Sequence, residues 1–271
     1  MTSLGAIGLG LAAVMACASV APAVAQTAPA PAKKVAPKPT APPRGGPGSL
    51  NGVWNNPAFS DTRAGPPVGA EPAIQTADGQ PIPYQPAVAA LMDKRRQAAA
   101  AGKPMATNGS QCLPGGMPSM MHPPIELALQ ILENPGQVTV LFEFYGTFRI
   151  IHLNEKHPND PDPTYFGNSV GHWEGDTLVV DTIAINDKTT IFGAPHSEGM
   201  HLVERMRRTG PDTMEDRILV EDPKTYTRPW TWLIKLKHIP GMRIREYVCE
   251  NQRNGVDASG GTAVQLQSSG G

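Results

Sequence analysis

The amino-acid sequence predicts an all-β fold, an antiparallel barrel or sandwich. The first observation is the turn sequence Glu174-Gly175-Asp176, which a β-branched run follows at once. Glycine adopts turn conformations that other residues resist and aspartate hydrogen-bonds its own backbone there, so this segment predicts a β-hairpin. The second observation is a series of short alternating segments between Gly and Pro turn signals. The third is the lack of helical segments between them, which disfavours a parallel α/β fold.

The predicted elements begin with a short strand at residues 50–54 and a Pro- and Gly-rich loop over 55–84. Residues 86–101 are predicted to form a helix that ends before Gly102, since Ala87, Ala90, Leu91 and Lys94 follow helical spacing. Period-two alternation and turn signals then predict strands at 138–144, 148–153, 177–185, 200–208, 214–221, 230–238 and 244–249. A barrel of about eight strands encloses room for one small ligand.

The two ends of the chain differ from this folded region. Residues 1–25 have the apolar core and Ala-Val-Ala ending of a signal peptide. A lipoprotein anchored through Cys17 is the alternative. Residues 26–48 form a Pro/Ala-rich linker, and residues 254–271 form a Gly/Ser-rich tail that is predicted to be disordered. We therefore expect one barrel domain over residues 49–253 in a periplasmic or secreted protein, without an integral membrane segment after signal removal.

The net charge of the chain limits its possible partners, and its cysteine content indicates its redox compartment. The net charge is −1, which gives no electrostatic basis for binding nucleic acid. Of the three cysteines, Cys17 leaves with the signal peptide, so Cys112 and Cys249 remain as an even pair in an exported chain. This pair predicts one disulfide, with two buried free thiols as the alternative. No phosphate loop, dinucleotide fingerprint or G-x-S-x-G elbow occurs, and no cofactor is predicted.

Three motifs carry a resemblance over nearly all of the folded region. They are GNSVGHWEGDTLVVDT at 167–182, PHSE at 195–198 and EYVCE at 246–250, and shorter matches upstream are GVW at 52–54, CLP at 112–114 and Arg149 with HP at 157–158. In these motifs the chain resembles a large family of exported bacterial proteins of poorly defined function. The resemblance implies a lipocalin-like (calycin-type) barrel and no general catalytic assignment; the predicted loop and helix before residue 102 make an N-terminal extension to it. By a looser analogy of fold alone, some small barrels of this kind are cofactor-free lyases of phenolic compounds.

The candidate catalytic residues are His196, Glu198, Glu204 and Arg149. His196 lies at a turn that enters a strand, and its imidazole can accept or donate a proton near neutral pH. Glu198 or Glu204 would orient it. Arg149 lies in an otherwise apolar strand, where a charge is costly unless it is paired. It would hold a carboxylate or phenolate of the substrate, or form a structural pair with Glu143.

The candidate substrate-binding residues are Glu143, His157, His201 and Trp230. His157 lies in a predicted rim loop, and Trp230 is either a wall of the pocket or part of the core. Asp181, which lies inside a predicted strand, would pair with Arg205 or Arg207 on a neighbouring strand.

A metal site is the competing use of the same region. His196, Glu198 and His201 offer two imidazoles and a carboxylate, which zinc or iron could accept. A spacing of five places the two histidines on opposite faces of a strand, so only a bulge or the Gly199 turn would bring them together.

These residues support four functional hypotheses. The first is a cofactor-independent lyase that applies acid–base chemistry to a small apolar or aromatic compound, such as a lignin-derived phenolic. The second is a non-catalytic periplasmic carrier of small hydrophobic ligands. The third is a metal-dependent hydrolase that uses His196, Glu198 and His201. The fourth is a structural envelope protein held near the membrane by its Pro-rich linker.

Overall fold

The structure is a computed structural model that describes residues 48–56, 76–123, 127–247, 254–256 and 262–264. The elements in chain order are β1 (Gly52–Asn55), α1 (Pro86–Ala100), β2 (Leu129–Asn134), β3 (Gln137–Phe142), β4 (Thr147–Leu153), β5 (Asn168–Glu174), β6 (Thr177–Ile183), β7 (Thr190–Ile191), β8 (Ala194–Pro195), β9 (His201–Gly210), β10 (Thr213–Glu221), β11 (Trp230–His238), β12 (Asn254–Val256) and β13 (Thr262–Val264). Short 3₁₀ turns occupy Gly109–Gln111, Ser119–Met121 and Phe144–Gly146. No helix in these ranges is long and apolar enough to cross a membrane.

Nine of these strands close into one barrel, which confirms the all-β prediction. Their order around the barrel is β1-β11-β10-β9-β6-β5-β4-β3-β2. The barrel is not purely antiparallel, since β4 and β5 pair in parallel with Ile151 opposite Ser169. Parallel pairing needs a crossover rather than a tight turn, and residues 154–167 supply it between the two strands.

The turn at Glu174-Gly175-Asp176 forms as predicted and joins β5 to β6. Glu174 lies opposite Thr177, and Gly175 has a φ of +63°, which glycine adopts without steric cost. Strands β2 and β5 were not predicted as elements of their own. The strand predicted at 244–249 is wrong up to Tyr247, where the chain is irregular, and residues 248–250 lie outside the described ranges.

The ends of the chain complete the comparison with the sequence. Strands β12 and β13 pair as a small antiparallel sheet within the tail that was expected to be disordered. The predicted signal peptide, almost all of the predicted linker and Cys249 lie outside the described residues. The disulfide between Cys112 and Cys249 therefore stays a prediction.

Apolar side chains fill the barrel because alternate positions of each strand point inward. The largest fully buried ones include Trp54, Trp232, Leu129, Ile131, Ile151 and Leu178. Each large apolar side chain buried in this way contributes about 1.5–3 kcal/mol. Met120 and Met121 from the 3₁₀ turn, and Met117 just before it, belong to the same cluster.

One end of the barrel, here the upper end, is where β3 and β10 finish and β4, β9 and β11 begin. Several segments outside the barrel are held against it. Met117 N donates to Tyr165 O at 3.0 Å, Ser119 Oγ donates to Thr190 O at 2.9 Å, and Gln85 N donates to Thr225 O at 2.8 Å. The helix, the coil after it and the β7–β8 hairpin therefore all lie close to this end.

Candidate functional site

The centre of the barrel holds a buried ion pair between Arg149 on β4 and Glu204 on β9. Both guanidinium Nη atoms donate to the Glu204 carboxylate, one of them at 2.9 Å. The remaining donors reach Ser169 Oγ at 3.0 Å and Thr182 Oγ1 at 2.7 Å. The two charged side chains are 1 % and 0 % exposed. The predicted pairing of Arg149 with Glu143 is therefore wrong, and protein side chains occupy the guanidinium group of Arg149.

Glu143 lies beyond the end of β3, outside this group. Its carboxylate accepts hydrogen bonds from Ala128 N at 3.0 Å and from Arg245 Nε at 2.8 Å. It thereby ties the start of β2 to the segment after β11. Its contacts support a structural role in place of the predicted contact with substrate.

Asp216 on β10 adds a second buried carboxyl group beside Glu204. It is 0 % exposed, and neither of its oxygens receives a hydrogen bond from the described side chains. Burial, and then the neighbouring Glu204 charge, raise the pKa of Asp216 well above its ordinary value, against the opposing effect of Arg149. The buried group therefore combines one guanidinium with two carboxyl groups, and Asp216 binds a proton more readily than an ordinary aspartate does.

His196 is buried away from Glu204, in a separate hydrogen-bond arrangement. Its Nδ1 lies 3.0 Å from Ser197 O and its Nε2 lies 2.5 Å from Thr189 Oγ1. Because a carbonyl only accepts, Nδ1 carries the proton and Nε2 accepts from Thr189. Burial lowers the pKa of His196, so the imidazole is neutral near pH 7.

The predicted catalytic group is therefore not assembled around His196. Glu204 is engaged by Arg149, and Glu198 is an exposed residue. Among the carboxylates, that of Asp222 raises the pKa of His196 the most. It accepts hydrogen bonds from Ser197 N at 2.7 Å and from Ser197 Oγ at 2.9 Å. His196 and Asp222 together fix the turn that enters β9.

Trp230 belongs to the core. It is 3 % exposed, and its ring packs edge-on against Tyr226 with the centroids 5.5 Å apart. The structure thus supports the core alternative that the sequence left open for this residue.

A chain of ionisable side chains runs across the outer face of β6, β9 and β10. His201 places Nε2 3.0 Å from Asp181 Oδ2 and Nδ1 2.9 Å from Glu221 Oε2. The other oxygen of Asp181 lies 2.9 Å from Nε2 of His157, whose Nδ1 lies 2.6 Å from Asn168. Two histidines on this face thus share one carboxylate.

This arrangement corrects two sequence predictions. Asp181 pairs with histidines, whereas Arg205 pairs with Glu174 at 2.7 Å. His196 and His201 have separate partners, so the metal set with Glu198 is not brought together. Across the described ranges, no group of three or more His, Cys, Asp or Glu side chains could hold a metal ion.

The two carboxylates around His201 make the stability of this face depend on pH. Partial burial alone would lower the pKa of His201, but the hydrogen bonds and charges of Asp181 and Glu221 raise it above its ordinary value. Protonated His201 therefore contributes stability that is full below about pH 6.5 and is lost as the pH rises through the folded-state pKa.

We expect His201→Gln to remove this contribution. Urea denaturation should show a loss of about 0.5 kcal/mol at pH 6 and a smaller one at pH 8.5, since exposed pairs are weak. His172→Gln is the matched control, because His172 pairs only with the exposed Glu174. An equal loss at both pH values for His201→Gln would contradict the assignment.

A cleft at the upper end of the barrel has a volume of about 490 Å³. Arg95 and Ala99 of α1 form one wall, and Phe192 of the β7–β8 turn forms another. Phe144 and Met105 contribute further apolar surface. Ligand sites of small molecules are of this size and are mostly apolar. This cleft is the candidate functional site.

Phe192 holds a conformation that a large side chain rarely adopts. Its φ is +52°, in the left-handed region, and the following Gly193 has a φ of +82°. Such a residue costs about 1–3 kcal/mol and persists only where its surroundings hold it. The ring packs edge-on against Trp232 with centroids 4.7 Å apart. The strain at the cleft wall is consistent with a functional position.

A second pocket, of about 100 Å³, shares Gly115, Ser119 and Phe144 with the cleft. His122 lines it. The His122 ring stacks on Trp232 with centroids 5.6 Å apart. Burial lowers the pKa of His122, so a neutral imidazole lies beside the cleft at neutral pH.

The sequence interpretation missed both Arg95 and His122. A signal for Arg95 was present, because Val88, Met92, Arg95 and Ala99 are spaced at helical intervals on one face. For His122 we find no such signal, since it lies in Pro-rich coil whose path depends on the barrel.

No protein-family model, no curated protein and no solved structure matches this chain. The resemblance to exported bacterial proteins therefore stays a prediction based on the motifs.

Proposed function

We propose that this protein is a carrier that binds a small aromatic molecule in the cleft at the upper end of its barrel. The observation that supports the proposal most directly is the cleft itself, about 490 Å³ in volume with the side chains of Phe144, Phe192 and Met105 at its walls. Apolar walls favour a ligand that is removed from water, and aromatic rings favour a flat one.

Location outside the cytoplasm belongs to the same proposal. It rests on the predicted signal peptide at residues 1–25, with a disulfide between Cys112 and Cys249 as the expected consequence of an oxidising compartment. A carrier in the periplasm would take up compounds that enter the cell envelope.

A cofactor-independent lyase is the second candidate, and one observation favours it. His122 places a neutral imidazole at the pocket that adjoins the cleft, and a substrate that replaced the Asn56 amide, 3.4 Å from His122 Nε2, could pass a proton to it. His196, Glu204 and Arg149 do not support this activity, because they are buried in two separate hydrogen-bond arrangements.

Ala99 offers a direct test of the binding proposal. Its side chain is exposed and lines the cleft, so Ala99→Trp should fill the cleft without disturbing the core. We expect the uncharged fluorescent probe N-phenyl-1-naphthylamine to bind the wild type and to lose about tenfold or more in affinity in the variant. Fluorescence titration measures both dissociation constants.

Ala100→Trp is the matched control, since Ala100 is exposed on the same helix and does not line the cleft. Equal affinity in all three proteins would place the probe elsewhere and reject the cleft as the site. Mass spectrometry of the mixture after incubation with lignin-type phenolic dimers separates the two candidates. A carrier returns the compound unchanged, whereas a lyase yields fragments that His122→Gln does not produce.

A further inference from the structure

The charge on the cleft wall comes from Arg95. The polar side chains nearby are already engaged: Ser119 Oγ donates to Thr190 O, and the Asn108 amide donates to Pro114 O at 3.2 Å and to Lys188 O at 2.8 Å. Neither Asp nor Glu occurs among the residues that line the cleft.

The guanidinium of Arg95 is only partly satisfied by the protein. Nη1 donates to Ala106 O at 3.2 Å, while Nε is buried and has no acceptor among the described atoms. No ion pair joins Arg95 to a carboxylate within the described ranges, in contrast to the adjacent Arg96, which pairs with Asp93. A buried donor without an acceptor costs free energy, more so on a charged group, and a ligand acceptor would recover it.

Arg95 lies against the β7–β8 turn. A Cβ built on Gly193 would be in ordinary van der Waals contact with Arg95 Cδ at 3.6 Å and Nε at 3.9 Å, which places the side chain beside this turn. Because Phe192 of the same turn also lines the cleft, the cleft combines an aromatic wall with a cation.

We propose that the ligand of this cleft is an aromatic acid, whose carboxylate pairs with Arg95 and whose ring lies beside Phe144 and Phe192. This inference rests on the proposed binding function and adds the chemical class of the ligand. A guanidinium binds a carboxylate through two parallel hydrogen bonds, which fixes the orientation of the ligand as well as its charge.

Two probes of equal shape test the charge alone. Naphthalene-2-carboxylate and naphthalene-2-carboxamide differ in charge and little in size. A hydrogen bond to a charged group contributes about 1.5–3 kcal/mol, so calorimetric titration should show the wild type preferring the carboxylate by about 10- to 100-fold. Arg95→Met should abolish the preference while the amide still binds.

Arg95→Lys and Arg96→Met complete the set. Lysine keeps the charge but not the planar donor geometry, so we expect a reduced preference; Arg96→Met should retain the wild-type preference because Arg96 is exposed and pairs with Asp93. Equal binding of the two probes by the wild type would overturn the inference and leave the binding function standing. Binding of neither probe would overturn both.

Discussion

Replacing Arg149 with methionine is expected to lower the free energy of unfolding by about 3–5 kcal/mol. The variant leaves the Glu204 carboxylate in the barrel centre without its cation, beside the buried carboxyl group of Asp216. It also removes the donors to Ser169 and Thr182. Urea denaturation followed by tryptophan fluorescence measures the change.

Arg205→Met provides the control, since the pair of Arg205 with Glu174 is about half exposed on both sides. Such a pair contributes about 0–1 kcal/mol. A triple variant, Arg149→Met with Glu204→Leu and Asp216→Leu, should recover much of the loss, because an apolar core of similar volume has no charge to compensate. A loss no larger than that of Arg205→Met would show that the Arg149 pair is not buried.

Gly116→Ala is expected to cost about 3–5 kcal/mol, for two independent reasons. The φ of Gly116 is +71°, which strains any residue with a Cβ. A Cβ would also collide with the side chain of Thr189 and would lie 2.6 Å from Tyr165 O. Thermal unfolding monitored by circular dichroism measures the loss.

Gly79→Ala separates the two causes. Gly79 has a similar φ of +68°, but a Cβ there would meet nothing within 4 Å. We expect this control to cost about 1 kcal/mol, the conformational part alone. Equal costs for the two variants would mean that the segment around Gly116 does not pack against Thr189 and Tyr165 as described.

The barrel could be predicted because its strands alternate in polarity and end at Gly and Pro turns, patterns that local sequence contains. The parallel pairing of β4 with β5 could not, since Ile151 and Ser169 meet only through the crossover between them. The helix was predicted in place, but which of its side chains are covered was not predicted: Ala87 and Lys94 are exposed, and Met92 is buried. In a short Ala-rich helix the faces differ little in hydrophobicity, so tertiary packing decides which face is covered.

The candidate site was predicted less well than the fold. Arg149 and Glu204 were both identified as candidate catalytic residues, yet their pairing across the barrel depends on which strands become neighbours. Asp216 was missed because an acid in an alternating strand gives no local sign of facing inward. Arg95 and His122 come together with Phe192 only after the coil and the hairpin fold over the barrel end.

The four-residue strand β1 connects β2 on one side with β11 on the other. Of the barrel strands, β1 is translated first. The barrel closes only after β11 has left the ribosome, because Trp54 of β1 pairs with His238 of β11. Until then the edge of β1 that faces β11 has no partner strand, and unpaired backbone edges are templates for aggregation. We therefore expect the barrel to close slowly and late during biosynthesis, and the nascent chain to need a chaperone until it closes.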